Sequence, residues 1–221
     1  MLESVVRWLF WPSLLCFAVG LVLRIMFYVR GLDWQADRVA YDSRGLLGPM
    51  GALWSVFTWL IPFGTYGWRR QPFASSAFFM FHFGVVMAPF FAGHSAGFAK
   101  EFGITFSAFS SGASDVLAIL GLTGGFLLLV RRVIMPQVRC ASTLQDWMLL
   151  GLCLLTLASG LLSRVAESAA VYHVLCGESV LFLAPFTRLA HIALFFASRA
   201  QLGWDYAVKR GGQLRGPRFP W

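Results

Sequence analysis

Apolar runs long enough to cross a bilayer recur five times along this chain, with polar or basic segments between them. A transmembrane helix needs about 20 mainly apolar residues. The runs cover about residues 8–29, 73–98, 111–130, 144–162 and 171–198. They predict an all-α, polytopic membrane protein with five transmembrane helices, followed by a carboxyl-terminal tail at 199–221.

Two shorter features complete this pattern. The apolar run at 52–63 is broken by Pro62 and is too short to span, so it predicts an interfacial or re-entrant segment, with an extra shallow helix as an alternative. The amino terminus is basic and apolar but has no evident A-x-A-like cleavage site. It therefore predicts a retained first span and not a removed signal peptide.

The distribution of basic residues predicts the orientation in the membrane. The segment between the first two spans carries Arg30, Arg38, Arg44, Arg69 and Arg70, and the segment between the third and fourth carries Arg131, Arg132 and Arg139. The opposite loops hold one lysine and one arginine. By the positive-inside rule the amino terminus is outside and the carboxyl terminus is cytoplasmic. The tail, rich in basic residues, Gly and Pro, is expected to be irregular and to dock on another component.

Composition narrows the class of protein. The chain is 58% hydrophobic and 13% charged, whereas a soluble domain carries about 25% charged residues. The net charge of +8 fits cytoplasmic membrane loops better than nucleic-acid binding, and no nucleic-acid partner is expected. The four cysteines form no CxxC or CxxCH, so neither a zinc ribbon nor a covalently attached haem is indicated. The absence of a Gly-rich phosphate loop and of GxSxG argues against a nucleotide site or a hydrolase.

All four histidines lie in predicted spans, His82 and His94 in the second and His173 and His191 in the fifth. On one continuous helix, the last two would be about 27 Å apart and on the same side. Antiparallel spans bring His82 and His191 to the inner side and His94 and His173 to the outer side. Twelve residues separate His82 from His94, about 18 Å of helix, and Pro89 between them permits a kink.

Two imidazoles on opposite sides of a flat ring are how a b-type haem is held with both axial positions occupied. A single membrane histidine is often a packing residue or a proton relay, but four that pair by depth favour two haems, held between the second and fifth spans. A different metal is less favoured, because no carboxylate or thiolate is clearly placed beside either pair. Arg188 is expected to neutralise a haem propionate, the alternatives being backbone groups or Glu178.

Three segments carry a resemblance to a known family. FSSGASDVLAILGLTGGFLLLVRRVIMPQVRCAST (109–143) resembles the third span and following cytoplasmic loop of the gamma subunit of respiratory nitrate reductase. FHFGVVMAPFFAGHSAGF resembles the second span of that family, and PFTRLAHI its final haem-ligand segment. The resemblance covers nearly the whole chain, and it implies His82 with His191 at an inner haem and His94 with His173 at an outer haem.

The resemblance also implies a function. Such subunits oxidise quinol (menaquinol is the expected type) near the outer haem and pass electrons to a cytoplasmic iron–sulfur subunit, within a complex that contains a terminal reductase subunit. The chain departs from the family in its His82–His94 spacing, which is two residues longer, in a shorter loop between spans four and five, and in a longer stretch before span two. Relatives with such variations serve sulfite-reduction-associated and heterodisulfide-reductase-like complexes, so the terminal acceptor stays open.

The quinol is expected beside the outer haem, where Gly93, His94 and Gly97 would line its site. Lys100 or Glu101 would hydrogen-bond a quinol oxygen or take its proton; the alternative is that both are a solvated loop pair. No residue is expected to do bond chemistry itself, so the chain is an electron-transfer subunit in contact with lipid and the quinone pool of the cell inner membrane. The competing function is a haem-free membrane anchor or proton-relay subunit.

Overall fold

The structure, a computed structural model, describes residues 2–32, 47–91 and 111–209. All regular elements in these ranges are helical. The α-helices are α1 (Leu2–Arg30), α2 (Leu47–Leu60), α3 (Tyr66–Arg70), α4 (Pro72–Phe91), α5 (Ser111–Ile134), α6 (Pro136–Cys140), α7 (Leu144–Leu162), α8 (Ala169–Leu183) and α9 (His191–Lys209). Two 3₁₀ turns, Ala184–Phe186 and Arg188–Ala190, join α8 to α9.

Within the described ranges, five helical segments are long and apolar enough to cross a membrane, which confirms the prediction of a polytopic all-α protein. They are Trp8–Arg30, Pro72–Pro89, Gly112–Ile134, Leu144–Leu162 and Ala169–Phe186. Their surfaces are strongly apolar: Trp8 is 79% exposed and Phe73 91% exposed. Exposed apolar surface on this scale is unsuited to water and fits contact with lipid.

The fifth span differs from the continuous helix that the sequence suggested. Helix α8 ends at Leu183, Pro185 lies in the first 3₁₀ turn, and Thr187 adopts an extended backbone. Proline cannot donate a helical hydrogen bond and it clashes with the preceding turn, which explains the break. The Thr187 hydroxyl then accepts a hydrogen bond from the Leu189 amide and so caps the start of the second 3₁₀ turn. The 27 Å separation derived for His173 and His191 on one helix therefore does not apply.

Two further segments are more ordered than expected. The short apolar run at 52–63 overlaps helix α2, which begins at Leu47 and ends at Leu60, in agreement with the alternative of an extra helix. The tail at 199–221 was expected to be irregular, but its first part is helical. Helix α9 runs without interruption from His191 through Arg199 to Lys209. Residues 210–221 lie outside the described ranges.

The chain divides into two compact units, Met1–Leu14 with Phe73–Phe182, and Leu15–Pro72 with Leu183–Trp221. In the first unit, helices α4 and α5 approach through glycine. A Cβ added to Gly84 would lie 2.4 Å from the Gly121 Cα, and one added to Gly124 would lie 2.6 Å from the Ala77 carbonyl oxygen. Small residues permit such close packing of helices in membranes. Gly84 thus faces helix α5.

Helices α5 and α7 of the first unit are also tied at both ends. Arg132 donates from Nη1 to the carbonyl oxygen of Asp146 over 2.7 Å, at the end of α5 and the start of α7. At the opposite ends, Arg164 Nε lies 3.1 Å from Asp115 Oδ1. Thr143 and Asp146 form a capping box at the start of α7. These contacts fix the position of α7 along the axis of α5.

The second unit is organised around α2 and α9. A Cβ added to Gly203 of α9 would lie 2.2 Å from the Gly51 carbonyl oxygen of α2. The guanidinium of Arg199 stacks over the Trp59 ring at 4.4 Å, and the Tyr28 hydroxyl of α1 hydrogen-bonds the Gln201 side chain. The middle of helix α9 is therefore held by both α1 and α2.

Candidate functional site

Three of the four histidines lie in the described part of the chain. His82 is on α4 and His173 on α8, both in the first unit, and His191 begins α9 in the second unit. His94 and the expected quinol-site residues (Gly93, Gly97, Lys100 and Glu101) fall within residues 92–110, outside the described ranges.

His173 is held by a neighbouring helix. Its Nδ1 lies 2.9 Å from the carbonyl oxygen of Thr156 on α7. Because a carbonyl oxygen can only accept, the imidazole proton is on Nδ1 and the lone pair is on Nε2. The Thr156 hydroxyl donates to Leu152, and the Ser159 hydroxyl donates to the same Thr156 carbonyl. The acceptor of the His173 bond thus sits in a small hydrogen-bonded turn of α7.

Gly160 makes room for the His173 ring. A Cβ added to Gly160 would lie 2.9 Å from Cε1 and 3.1 Å from Nδ1 of that imidazole. Carbon atoms in contact are about 3.5–4.0 Å apart, so any larger residue at this position would displace the ring. The position and the tautomer of His173 are consequently set by α7.

His82 is oriented from within its own helix. Its Nδ1 lies 2.9 Å from the Phe78 carbonyl oxygen, one turn earlier on α4. The ring also lies against the Phe78 ring, with centroids 3.9 Å apart and planes inclined at 32°. The hydrogen bond puts the proton on Nδ1 here too, and the aromatic contact restricts rotation of the imidazole.

His191 is oriented by the turn that precedes it. Its Nδ1 lies 2.8 Å from the Arg188 carbonyl oxygen, in the second 3₁₀ turn. Arg188 and His191 both have exposed side chains and both lie beyond the last residue of the fifth candidate span, Phe186. The break in the span therefore supplies the acceptor that fixes the His191 tautomer.

The three described imidazoles share one arrangement: Nδ1–H donates to a main-chain carbonyl and the lone pair is on Nε2. A histidine that ligates a metal usually donates its other ring N–H in this way, which fixes the ring and makes the ligating nitrogen more basic. Within residues 2–32, 47–91 and 111–209 no three His, Cys, Asp or Glu side chains are grouped as a metal site. A haem with two axial imidazoles needs one such nitrogen on each face, and each of the three described imidazoles has the tautomer that can supply one.

Sequence reasoning identified the histidines but missed the two residues of α7 that position His173, Thr156 and Gly160. The signal available was the run of small and hydroxyl residues, TLASG, within an otherwise apolar span. Such residues at helix contacts are typical of membrane proteins. The pattern alone does not show which histidine the glycine faces.

Comparisons with known proteins agree with this architecture. The sequence model described as "Nitrate reductase gamma subunit" matches residues 70–172, a range that includes helices α4, α5 and α7. The respiratory nitrate reductase 1 gamma chain of Escherichia coli is 27% identical over 198 residues, which covers 64% of this chain and 84% of the relative. No solved structure matches this chain significantly.

A second relative covers nearly all of the chain. It is a protein of Nitratidesulfovibrio vulgaris that is 45% identical over 216 residues, 96% of each chain, and its name, "Protein", carries no function. The family match, the E. coli relative and the five apolar helices agree with one another. This chain belongs to the nitrate reductase gamma subunit family, as a multi-pass membrane protein.

Proposed function

We propose that this chain is the cytochrome b subunit of a respiratory reductase complex, that it holds two b-type haems, and that it passes electrons from quinol to a cytoplasmic iron–sulfur partner. Membership of the gamma subunit family supports the membrane-subunit role. The observation that carries the haem assignment is the shared Nδ1–H to carbonyl hydrogen bond of His82, His173 and His191.

His82 and His191 would hold the inner haem, and His94 and His173 the outer haem. The antiparallel course of spans two and five supports this pairing, together with the basic segments that place the amino terminus outside. When bound, each haem iron alternates between the ferric and ferrous states and carries one electron at a time.

In this proposal the role of the polypeptide is to hold the imidazoles in the orientation that binds haem. The Thr156 carbonyl and Gly160 fix His173, and the Phe78 carbonyl and ring fix His82. Stronger hydrogen bonding at Nδ1 makes Nε2 a better electron donor, so these carbonyls would lower the reduction potential of an iron bound there.

Arg188 is proposed to pair with a propionate of the inner haem. Its backbone carbonyl already orients His191, so the cation and the ligand come from one short turn. A guanidinium can bind a carboxylate with two parallel hydrogen bonds, and neutralising a propionate near the membrane is favourable for both groups.

The remaining parts of the proposal concern the quinol and the partners. Gly93 and Gly97 would line the quinol site beside His94, and Lys100 or Glu101 would bond or deprotonate it. The partners would be a cytoplasmic iron–sulfur subunit and a terminal reductase subunit, of a nitrate reductase-like or a sulfite- or heterodisulfide-reductase-like complex. The chain would lie in the inner membrane with a cytoplasmic carboxyl terminus; the basic segments support this orientation.

Histidine substitution tests the pairing. His82→Ala and His191→Ala should each remove the same haem signal from the redox titration and leave the other signal in place. His173→Ala should remove the other one. Loss of different haems in the first two variants would refute the pairing. Normal assembly without any haem would instead favour the membrane anchor or proton-relay function.

Quinol oxidation is tested by adding a reduced quinol to the purified complex and following haem reduction over time. Lys100→Ala should slow that reduction if Lys100 bonds the quinol. Unchanged kinetics would remove Lys100 from the site, and no haem reduction in the wild type would contradict quinol oxidation itself.

A further inference from the structure

Glu178 lies in the middle of the fifth span. It is nine positions after Ala169 and eight before Phe186, the two ends of that span, which corresponds to about 12–14 Å on either side. The hydrocarbon layer of a bilayer is about 30 Å thick, so the carboxyl group sits near its centre. An ionisable group at that depth is costly and commonly functional.

The Glu178 side chain faces the protein and not the lipid. Only 5% of its surface is exposed, and neither carboxyl oxygen has a hydrogen-bond partner among the residues that the structure describes. A carboxylate in such a place loses the hydration that stabilises its charge. The charged form is therefore costly there unless a positive charge stabilises it.

The surroundings in the first unit supply no permanent positive charge at this depth. Apart from charged residues near the span ends, the other titratable side chains in its described spans are His82, Cys153, Tyr172, His173 and Cys176. The charged side chains described in this unit lie toward the ends of the spans or in loops: Asp115, Arg131, Arg132, Arg139, Asp146, Arg164 and Glu167. A change of charge at His173, on the same helix, would therefore act on Glu178 with no permanent cation of the described spans beside it.

His173 precedes Glu178 by five residues on α8, about 7.5 Å of rise and roughly 140° around the helix. The carboxyl group and the imidazole thus lie on different sides of α8, so any interaction between them is electrostatic and not a direct contact. Inside the membrane such an interaction is not weakened by mobile ions. A ferric iron at His173 has one more positive charge than a ferrous iron, and this charge stabilises the carboxylate.

We infer that Glu178 is a proton-binding site within the membrane that takes up one proton when the haem held by His173 gains one electron. This inference rests on the proposed function. The electron comes from quinol and converts ferric to ferrous iron. The proton comes from water and converts the carboxylate to the carboxylic acid, so the net charge of the membrane interior is unchanged by reduction.

Redox difference infrared spectroscopy of the purified holoprotein tests this step, because a protonated carboxyl group has its own C=O stretching band. Wild type should gain that band on reduction. Glu178→Gln keeps the shape of the side chain and should lose the band, while Glu178→Asp should keep it at a shifted position. Ser179→Ala is the matched control, because Ser179 is the next residue, is exposed, and donates its hydroxyl to the Leu175 carbonyl of its own helix.

The outcomes separate the two proposals. Haem absorbance in Glu178→Gln shows that the variant is folded and loaded, so a missing band then supports the inference. A band of undiminished size in Glu178→Gln, or no band in haem-loaded wild type, would overturn the inference and leave the cytochrome assignment standing. Wild-type protein that binds no haem would overturn both.

Discussion

Replacing Gly160 by alanine tests the link between helix α7 and the His173 imidazole. The added Cβ would lie 2.9 Å from Cε1 of the ring, and carbon atoms in contact are about 3.5–4.0 Å apart, so the ring must retreat by roughly 0.5–1 Å. That movement lengthens the 2.9 Å bond from Nδ1 to the Thr156 carbonyl beyond hydrogen-bonding range.

Two effects lower the stability of the Gly160→Ala variant, and one effect opposes them. Overpacking costs about 1–3 kcal/mol, and the lost hydrogen bond about 0.5–1.5 kcal/mol. Alanine is favoured over glycine in a helix interior by about 0.5–1 kcal/mol. The net destabilisation is therefore about 0.5–4 kcal/mol, and it is concentrated at one imidazole.

The assay is a spectroscopic redox titration of the purified protein, with thermal unfolding in detergent beside it. Gly160→Ala should raise the midpoint potential of one haem or abolish its signal, should leave the other haem unchanged, and should lower the melting temperature. Gly151→Ala on the same helix is the control, because a Cβ there meets nothing within 4 Å. If Gly160→Ala behaves like Gly151→Ala in both measurements, the contact between Gly160 and His173 is not what positions the ligand.

Two other contacts give predictions for stability in detergent. Arg132→Ala removes the bond to the Asp146 carbonyl between α5 and α7 and should destabilise the protein by about 1–3 kcal/mol, seen as a lower melting temperature. Gly203→Ala places a Cβ 2.2 Å from the Gly51 carbonyl oxygen and should separate α2 from α9 at a cost of about 1–3 kcal/mol or more, seen as faster proteolysis of the α9 segment.

Each of these variants has a control in the same unit. Arg139→Ala should change the melting temperature little, because the Arg139 side chain reaches the Val133 carbonyl only at 3.5 Å. Gly67→Ala should leave proteolysis unchanged, because the nearest atom to its Cβ is the Thr65 hydroxyl oxygen at 3.9 Å. Equal effects in variant and control would mean that the named contacts do not hold the helices together.

The sequence predicts the membrane spans well because their length and apolarity are set by the bilayer itself. The span at 144–162 agrees with helix α7 to the residue. The break after Leu183 was missed because Pro185 was read as part of a continuous apolar run, although proline marks such interruptions. The helical start of the tail was missed because polar composition suggested irregular structure, whereas contacts with α1 and α2 stabilise α9.

For the site, the sequence could predict which residues are ligand candidates but not what orients them. Histidines in apolar spans stand out because ionisable groups are rare there. The Thr156 carbonyl is a backbone group and leaves no mark in the sequence, and Gly160 is one of many glycines. Only the packing of α8 against α7 reveals both. The burial of Glu178 likewise depends on which face of α8 turns inward.

The central claim is that this member of the gamma subunit family is a dihaem cytochrome b. The most direct measurement is the number of haems per chain in the purified protein, obtained from a pyridine haemochrome spectrum and a protein assay. The proposed function predicts two b-type haems per chain, both removed by denaturing extraction because neither is covalently attached. A value near zero in protein that is folded and inserted in the membrane would contradict it.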